Sequence, residues 1–312
     1  MRKISPKLQP YLDAFNAQIP VLLAAGFKAT ATNAREWLAT VTREMVTDIP
    51  AIPGVWDDIV TGGPYPVPVR IYHPAPGEKR PVLIHFHGGG HTAGSVSIYD
   101  PICRKFADAT GHIVITAEYR LAPENPYPAG VNDAYSVVKN IWPVLDARGL
   151  NYRREMSLIG DSAGGALCAA VMAKAQFDPG VALKRAVMIY PGLDYTLSMP
   201  SIQENAVGYL LQTAKIIWYY DLYLPNYENR RDVSSLFGPV SPRMPETFLI
   251  TAEFCPLRDE GIAYLERLKE AGIKTRHLHF DDMPHTFMNM ENLVKEECQK
   301  VYREVADFLN AG

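Results

Sequence analysis

The spacing of apolar residues predicts two helices early in the chain. Between Pro6 and Ala25, apolar side chains recur at steps of three and four residues, which is the period of an amphipathic helix. A second helical stretch covers Thr32 to Met45, where Asn33 is a suitable N-cap. Neither stretch carries an obvious catalytic group, so the chemistry of the protein is expected further along the chain.

From about Val55 the pattern changes to short apolar runs that alternate with helical stretches. Most runs are continuously apolar, as is typical of parallel strands that are buried on both faces. Strands that alternate with helices predict an α/β fold with a mainly parallel sheet, and such sheets bind ligands at the carboxyl ends of their strands. The predicted strands are Val67 to Tyr72, Val82 to Ile84, Ile113 to Ala117, Met156 to Gly160, Ala186 to Tyr190, Phe248 to Ala252 and Arg276 to Phe280. The predicted helices that follow these strands are Ala129 to Leu145, Ser162 to Ala175, Glu260 to Ala271 and Met290 to Leu309.

One segment interrupts this alternation. Asp194 to Pro245 is long, polar and rich in aromatic residues, with a helical pattern only near Gln212 to Leu224. Because it lies between two predicted sheet strands, it is expected to project from the sheet and, with the N-terminal helices, to form a cap over the strand ends. The expected organisation is therefore a cap built from residues 1–50 and 194–245, and a core built from residues 51–193 and 246–312.

The composition excludes several classes of protein. The chain has 312 residues, of which 47% are hydrophobic and 21% charged, so it is more apolar than a disordered chain. Its 31 Lys and Arg residues against 34 Asp and Glu residues argue against nucleic-acid binding. The longest apolar runs fall short of the roughly 18 residues that a membrane-spanning helix needs. These counts predict a soluble, globular protein with room for a buried site.

The start of the chain and its cysteines indicate a cytoplasmic protein. The basic N-terminal residues are not followed directly by the apolar stretch of a secretory signal. The cysteines are scattered and make no C-x-x-C pair, so neither a disulfide framework nor a structural zinc site is expected. They are Cys103, Cys168, Cys255 and Cys298.

The strongest chemical signal is the segment Gly160 to Gly165, with the sequence GDSAGG, between a predicted strand and a predicted helix. A G-x-S-x-G pattern in that context is typical of a nucleophile elbow, a sharp turn that presents the Ser162 hydroxyl above the sheet edge. On this motif alone, a glycine-rich turn with an ordinary N-cap serine remains an open alternative.

A second glycine-rich loop weakens that alternative. His87 to Gly90 also follows a predicted strand, and its backbone N–H groups are free to approach a developing oxyanion. A loop of this HGGG type, paired with the N–H after the nucleophile on Ala163, is typical of lipases and esterases. The same loop matches a dinucleotide fingerprint only loosely, because Glu118 lies too far beyond Gly90 to be the ribose-binding acid.

His285 is the predicted general base, because the triad residues of such folds follow in the order serine, acid, histidine. Of the histidines after Ser162, His277 and His279 alternate within a predicted strand and are expected to serve sheet packing or to lie at a sheet edge. His285 lies just past that strand, where a base belongs. No metal is expected, since the spacing of the earlier histidines resembles no metal motif; these are His85, His87 and His91.

In these motifs the chain resembles the hormone-sensitive-lipase family of α/β-hydrolases, bacterial carboxylesterases with a GDSAGG serine motif. The resemblance implies an α/β-hydrolase fold, a nucleophile at Ser162, a base at His285, and oxyanion donors on Gly89, Gly90 and Ala163. It also implies a helical cap over the acyl pocket and short- or medium-chain ester substrates, with no cofactor. Four motifs occur in order, namely His85 to Gly90, Tyr119 to Glu124, Gly160 to Gly165, and Pro256 to Gly261.

One position departs from the family pattern. The usual catalytic aspartate immediately precedes Pro-Leu-Arg-Asp, and here that position is Cys255. A neutral thiol neither orients the imidazole nor stabilises the imidazolium well. Three interpretations are open: Asp259 supplies the acid from the next helix; Glu253, Asp282 or an ordered water orients His285; or the site is catalytically weak and only binds.

The sequence therefore predicts a serine carboxylesterase that works through an acyl-enzyme at Ser162. A rival prediction is a small-molecule binding protein that resembles the plant gibberellin receptor, in which the hydrolase pocket persists while the triad is incomplete. Cys255 favours this rival, whereas Ser162 and His285 argue against it. The expected partner is a small-molecule ester, with no nucleic acid and no membrane span, and a homodimer is an option because dimers are common in the family.

Overall fold

The computed structural model, which describes residues 2–311, contains both predicted N-terminal helices. Helix α1 spans Gln9–Ala24 and helix α2 spans Ala31–Met45. The N-cap of α2 is Thr30, whose hydroxyl accepts the N–H of Asn33, while the Asn33 side chain accepts the N–H of Thr30. Asn33 is thus the reciprocal partner of the cap, not the cap itself.

The described residues form an eight-stranded sheet, which confirms the predicted α/β fold. Its spatial order is β1-β2-β4-β3-β5-β6-β7-β8. The first two strands and the β2–β4 pair are antiparallel, and all other neighbours are parallel. The strands are β1 (Gly54–Val60), β2 (Val67–His73), β3 (Arg80–Phe86), β4 (Ile113–Ala117), β5 (Tyr152–Asp161), β6 (Arg185–Ile189), β7 (Glu246–Phe254) and β8 (Thr275–Pro284).

Helices connect the parallel strands, as the alternating pattern predicts. The connecting helices are α3 (Val96–Thr110), α4 (Ala129–Ala147), α5 (Ala163–Ala175) and α9 (Arg258–Glu270), and α10 (Lys295–Asn310) follows the last strand. The segment between β6 and β7 carries α6 (Ser201–Glu204), α7 (Thr213–Tyr223) and α8 (Arg230–Val233). The last helix begins later than predicted, because Phe287–Leu293 forms a 3₁₀ segment with non-helical backbone at Met290.

Two hydrophobic clusters cover the two faces of the sheet. Along β3, the side chain of Leu83 belongs to one cluster, while Val82 and Ile84 belong to the other. Helix α3 contributes Phe106 to the first cluster and α5 contributes Leu167 to the second. Burial on both faces explains why the parallel strands are continuously apolar in the sequence.

The register of the parallel strands brings the chemical motifs to one edge of the sheet. Phe86 at the end of β3 pairs with Gly160 near the end of β5, and Phe254 at the end of β7 pairs with Pro284 at the end of β8. The residues that follow these four strands therefore lie together.

No helix within residues 2–311 is long and apolar enough to span a membrane.

Candidate active site

Ser162 occupies a strained turn between β5 and α5. Its backbone has φ 53° and ψ −118°, a conformation that a non-glycine residue keeps only when its surroundings impose it. The Ser162 N–H donates to the carbonyl of Ile189 at 2.8 Å. A side chain on Gly164 is excluded, because its Cβ would lie 1.9 Å from the carbonyl oxygen of Phe86. The turn thus has the geometry of a nucleophile elbow.

The glycine-rich loop after β3 lies beside this elbow. Gly89 and Gly90 have positive φ angles of 119° and 63°, which glycine adopts without strain. Within the described part of the chain, the N–H groups of Gly89, Gly90 and Ala163 have no hydrogen-bond acceptor. Three unpaired N–H groups at the edge of a pocket can bind a developing oxyanion.

The buried carboxylate of Asp161 holds this loop in place. One of its oxygens accepts the N–H of Gly88 at 2.8 Å, and the other accepts the hydroxyl of Tyr99 at 2.9 Å. Burial raises the pKa of Asp161 to about 7. A Cβ on Gly88 would lie 2.3 Å from the Asp161 carboxylate, so the glycine allows this close approach.

Ser162 and His285 are within hydrogen-bond distance. His285 directly follows β8, and its Nε2 lies 2.9 Å from Ser162 Oγ. The imidazole is buried, and its ring packs 4.5 Å, centroid to centroid, from the ring of Tyr190. The structure therefore brings together the two residues that the sequence predicts as nucleophile and base.

The partner of His285 on its other side is the thiol of Cys255. The sulfur lies 3.0 Å from His285 Nδ1 and also accepts the N–H of Leu257 at 3.3 Å. Burial raises the pKa of the Cys255 thiol and lowers the pKa of His285 to about 3, so both groups are neutral near pH 7. Across residues 2–311, no carboxylate lies within hydrogen-bond distance of His285.

Replacing a carboxylate by a thiol affects which ring nitrogen of His285 carries the proton. A carboxylate only accepts from Nδ1, which leaves Nε2 free to take a proton, whereas a thiol can also donate. Donation from the thiol to Nδ1 of His285 would place the ring proton on Nε2, where it blocks proton transfer from Ser162. The N–H of Leu257 donates to the sulfur of Cys255 and leaves its S–H free, so both directions of the contact with His285 stay open.

The structure corrects the first interpretation of the acid. The Asp259 carboxylate accepts the N–H of Ser201 at 2.9 Å and the guanidinium Nε of Arg258 at 2.7 Å. It lies in the first turn of α9, which directs it towards the segment after β6 and away from His285. The position at His285 Nδ1 is occupied by Cys255.

Neither alternative carboxylate is bonded to His285. Glu253 binds Arg258 at 3.1 Å and lies 3.1 Å from Nε2 of His279, so it belongs to a surface network. The backbone carbonyl of Asp282 accepts the N–H of Ser5, and its partly exposed side chain is not bonded to His285.

Asp259→Asn is therefore expected to change kcat/KM for a simple ester by less than about threefold. The amide keeps one acceptor for the N–H of Ser201 and loses only the charge beside Arg258. Steady-state hydrolysis of p-nitrophenyl butyrate, with a melting curve as control, checks this. A loss of more than a hundredfold with an unchanged melting temperature would return Asp259 to the catalytic site.

A cavity of about 600 Å³ opens onto Ser162 and His285. Its size falls in the range of small-molecule sites. Tyr219 of α7 packs against the oxyanion loop so closely that a Cβ on Gly90 would lie 2.6 Å from its ring. The walls are mostly apolar and come from α1, α2 and the segment around α7; they include Phe15, Leu22, Phe27, Trp37, Leu211 and Trp218.

Comparison with known proteins agrees with this geometry. The family model described as "alpha/beta hydrolase fold" matches residues 83–289, which is more than half of the chain. The chain belongs to this α/β-hydrolase family. It is 32% identical over 244 residues, 76% of each chain, to an ethyl acetate hydrolase of Pseudomonas putida. The predictions of an α/β-hydrolase fold and of the hormone-sensitive-lipase family are confirmed.

Solved structures and a plant relative extend the comparison. The fold superposes on an esterase of Pyrobaculum calidifontis with a TM-score of 0.84, 32% identity and 97% coverage of both chains. The chain is also 28% identical over 261 residues, 80% of this chain and 74% of the other, to a gibberellin receptor of Arabidopsis thaliana. Both hydrolases and a receptor thus occur among the relatives of this α/β-hydrolase.

Two residues of the α/β-hydrolase site, Asp161 and Tyr219, were not predicted from the sequence. Asp161 lies inside the serine motif, and the signal that could have revealed its role is its position directly before the nucleophile at a strand end. Tyr219 has no such signal, because its contact with Gly90 depends on how the segment between β6 and β7 folds back over the sheet. The earlier histidines bind neighbouring side chains or backbone, as His85 does with Thr116.

Proposed function

We propose that this α/β-hydrolase is a carboxylic ester hydrolase whose nucleophile, base and orienting group are Ser162, His285 and Cys255. The observation that supports this most strongly is the 2.9 Å contact between Ser162 Oγ and His285 Nε2 at the floor of an apolar cavity. The strained backbone of Ser162 adds to it, since such strain is typical of functional sites.

The reaction follows from the positions of these groups. His285 Nε2 takes the hydroxyl proton of Ser162 as the oxygen attacks the acyl carbonyl, and the N–H groups of Gly89, Gly90 and Ala163 bind the resulting oxyanion. His285 then returns the proton to the leaving alcohol, which leaves an acyl-enzyme on Ser162. A water activated by His285 attacks that ester, and the free acid is released.

Cys255 supports this base less well than a carboxylate would. In the productive tautomer its sulfur accepts a hydrogen bond from Nδ1–H of His285 and so fixes the ring, but it contributes no negative charge to stabilise the imidazolium. Burial alone sets the pKa of His285 to about 3, which makes the neutral imidazole a weak base. We therefore expect an active esterase with modest turnover.

The cavity supports short- to medium-chain esters as the substrates. Helices α1 and α2 and the segment from 194 to 245 surround it, so we propose that they form the cap over the strand ends. Leu22, Phe27 and Trp37 are partly exposed at its opening, and apolar side chains there suit an alkyl chain. A cavity of about 600 Å³ holds a chain of limited length.

The chain-length preference is testable with p-nitrophenyl esters from acetate to palmitate. We expect kcat/KM to be highest for a chain between acetate and octanoate and to fall at least tenfold for palmitate. Trp37→Ala, which widens the opening, is expected to move the preference to longer chains. Highest activity on palmitate in the native protein would contradict the assignment of substrate length.

The second candidate function is ligand binding without turnover, which the thiol at the acid position favours. It predicts that the native protein hydrolyses p-nitrophenyl butyrate no faster than Ser162→Ala. The hydrogen bond between Ser162 and His285 favours hydrolysis, because a binding pocket does not need a base directed at a serine.

A further inference from the structure

Lys215 is the one lysine among the described residues that line the cavity above Ser162 and His285. It lies in the first turn of α7, and its ammonium stands 3.8 Å from the ring centroid of Trp218 and 5.0 Å from that of Tyr219. Contacts with two ring faces attract a cation but leave its three N–H donors available.

The charge of Lys215 has no counter-ion in the part of the chain that the structure describes. No carboxylate lies within ion-pair distance of its ammonium, whereas Lys7, Lys105 and Lys184 all pair with glutamates. Its place in the first turn of a helix offers no compensation, since the helix dipole there disfavours a cation. Burial lowers the pKa of Lys215 to about 8, so the ammonium form still predominates at pH 7.

The ammonium lies close to the reaction centre. The ring of Tyr219 packs against Gly90 of the oxyanion loop, and Lys215 lies near the same ring. One aromatic ring therefore separates the charge from the place where the acyl carbonyl would bind. A substrate of a few carbon atoms beyond its ester group can reach it.

We propose that Lys215 binds a carboxylate on the substrate, so that the enzyme prefers esters carrying one terminal carboxylate over neutral esters of equal length. This inference rests on the proposed esterase function. A single ammonium in an apolar wall matches a single negative charge, because a second charge would remain buried without a partner. The carboxylate can belong to the acyl part or to the alcohol part of the ester.

Two pairs of substrates show whether Lys215 binds a carboxylate on the acyl part or on the alcohol part of the ester. For the acyl part, mono-p-nitrophenyl adipate is compared with methyl p-nitrophenyl adipate by release of p-nitrophenol. For the alcohol part, 5-butyryloxypentanoate is compared with 5-butyryloxypentanamide, which has a single ester bond, in a pH-stat. The readout is the ratio of kcat/KM for the charged ester to that for the neutral ester, corrected for spontaneous hydrolysis. We expect Lys215→Met to lower this ratio at least tenfold in one pair and Lys215→Arg to retain most of it.

The matched control is Lys174→Met, because Lys174 also lies near an aromatic ring, that of Tyr135, but is exposed and outside the cavity. Its ratio should equal that of the native protein. An unchanged ratio in Lys215→Met for both pairs, with neutral esters still hydrolysed, would show that the lysine only packs on Trp218 and would overturn the inference. Absence of any hydrolysis by the native protein would overturn the proposed function and this inference with it.

A pH series on the native protein and on Lys215→Met gives a second test. The ratio should fall as pH rises through about 8, because Lys215, whose pKa burial lowers to about 8, loses its charge there. Of the other titratable residues that line the cavity, Tyr99, Tyr219 and His285 keep one protonation state between pH 6 and pH 9.5. Asp161, whose pKa burial raises to about 7, ionises in both the native protein and Lys215→Met, so only the part of the fall that disappears in Lys215→Met belongs to Lys215. A ratio that stays constant between pH 6 and pH 9.5 would contradict the inference.

Discussion

Ser162→Ala is expected to lower kcat for p-nitrophenyl butyrate by a factor of about 10⁴ or more. Without the hydroxyl, no acyl-enzyme forms, and only the oxyanion donors and binding remain to accelerate attack by water. The expected size is large because the nucleophile and the base act as a unit and lose their joint contribution together. Initial rates with and without the substitution measure this.

The matched control is Ser157→Ala, since Ser157 is a buried serine of the same strand, β5, outside the cavity. Its rate should stay within about threefold of the native rate. If Ser162→Ala retained more than a tenth of the native activity, another nucleophile would have to carry the reaction, and Cys255 would be the first to examine.

Cys255→Asp is expected to raise kcat/KM at least tenfold. A carboxylate at this position accepts only from Nδ1 of His285, which holds the ring in the productive tautomer and stabilises the imidazolium; a triad acid is worth up to about 10⁴ in turnover. The N–H of Leu257, which now reaches the sulfur at 3.3 Å, is placed to bind the new carboxylate. Burying this charge lowers the melting temperature, so rates are measured well below it.

The pH profile separates this effect from a simple change in packing. The base works only as neutral imidazole, so activity falls as pH drops through the pKa of His285, which burial sets to about 3. A carboxylate at position 255 raises the pKa of His285, so the acidic limb of kcat/KM should move to higher pH. Asp161 is unchanged between the two proteins, and its titration cannot produce the difference.

Cys255→Asn is the matched control for this change. It has nearly the same shape as aspartate but no charge, and its amide can donate to Nδ1 of His285 and so favour the unproductive tautomer. We expect no gain and an acidic limb like that of the native protein. If Cys255→Asp folds and shows no gain either, the site already has a complete triad, and the role given to the thiol is wrong.

The sequence was sufficient to predict the fold, because its signals are local. Continuous apolar runs, such as the one from Ile113 to Ala117, are dictated by burial on both faces, and β4 has those bounds. The serine motif is also recognisable locally, although only Gly160 is required by the turn itself; Gly164 and Gly165 are required by close contacts with Phe86 and Pro191.

The group that faces Nδ1 of His285 could not be predicted in this way. It depends on the register of β7 against β8, where Phe254 pairs with Pro284, and on the start of α9 at Arg258. Those two facts place Cys255 beside His285 and turn Asp259 towards Ser201. They are properties of tertiary packing, which a count of four residues along a helix does not capture.

The side chains that form the cavity wall could not be predicted from the sequence either. The sequence indicated an aromatic segment and its approximate helix, and α7 at Thr213–Tyr223 lies within the predicted stretch. Which of its side chains face the cavity depends on how the whole segment folds over the strand ends. The approach of Lys215 and Tyr219 to the oxyanion loop is therefore visible only in three dimensions.

Covalent labelling tests whether Ser162 is the nucleophile, because the site contains two potential nucleophiles, Ser162 and Cys255, beside one imidazole. The native protein is treated with one equivalent of an alkyl fluorophosphonate, and the adduct is located by peptide mass spectrometry. We expect a single adduct on Ser162 and no adduct in Ser162→Ala. An adduct on Cys255, or a native protein that stays unlabelled, would contradict this assignment.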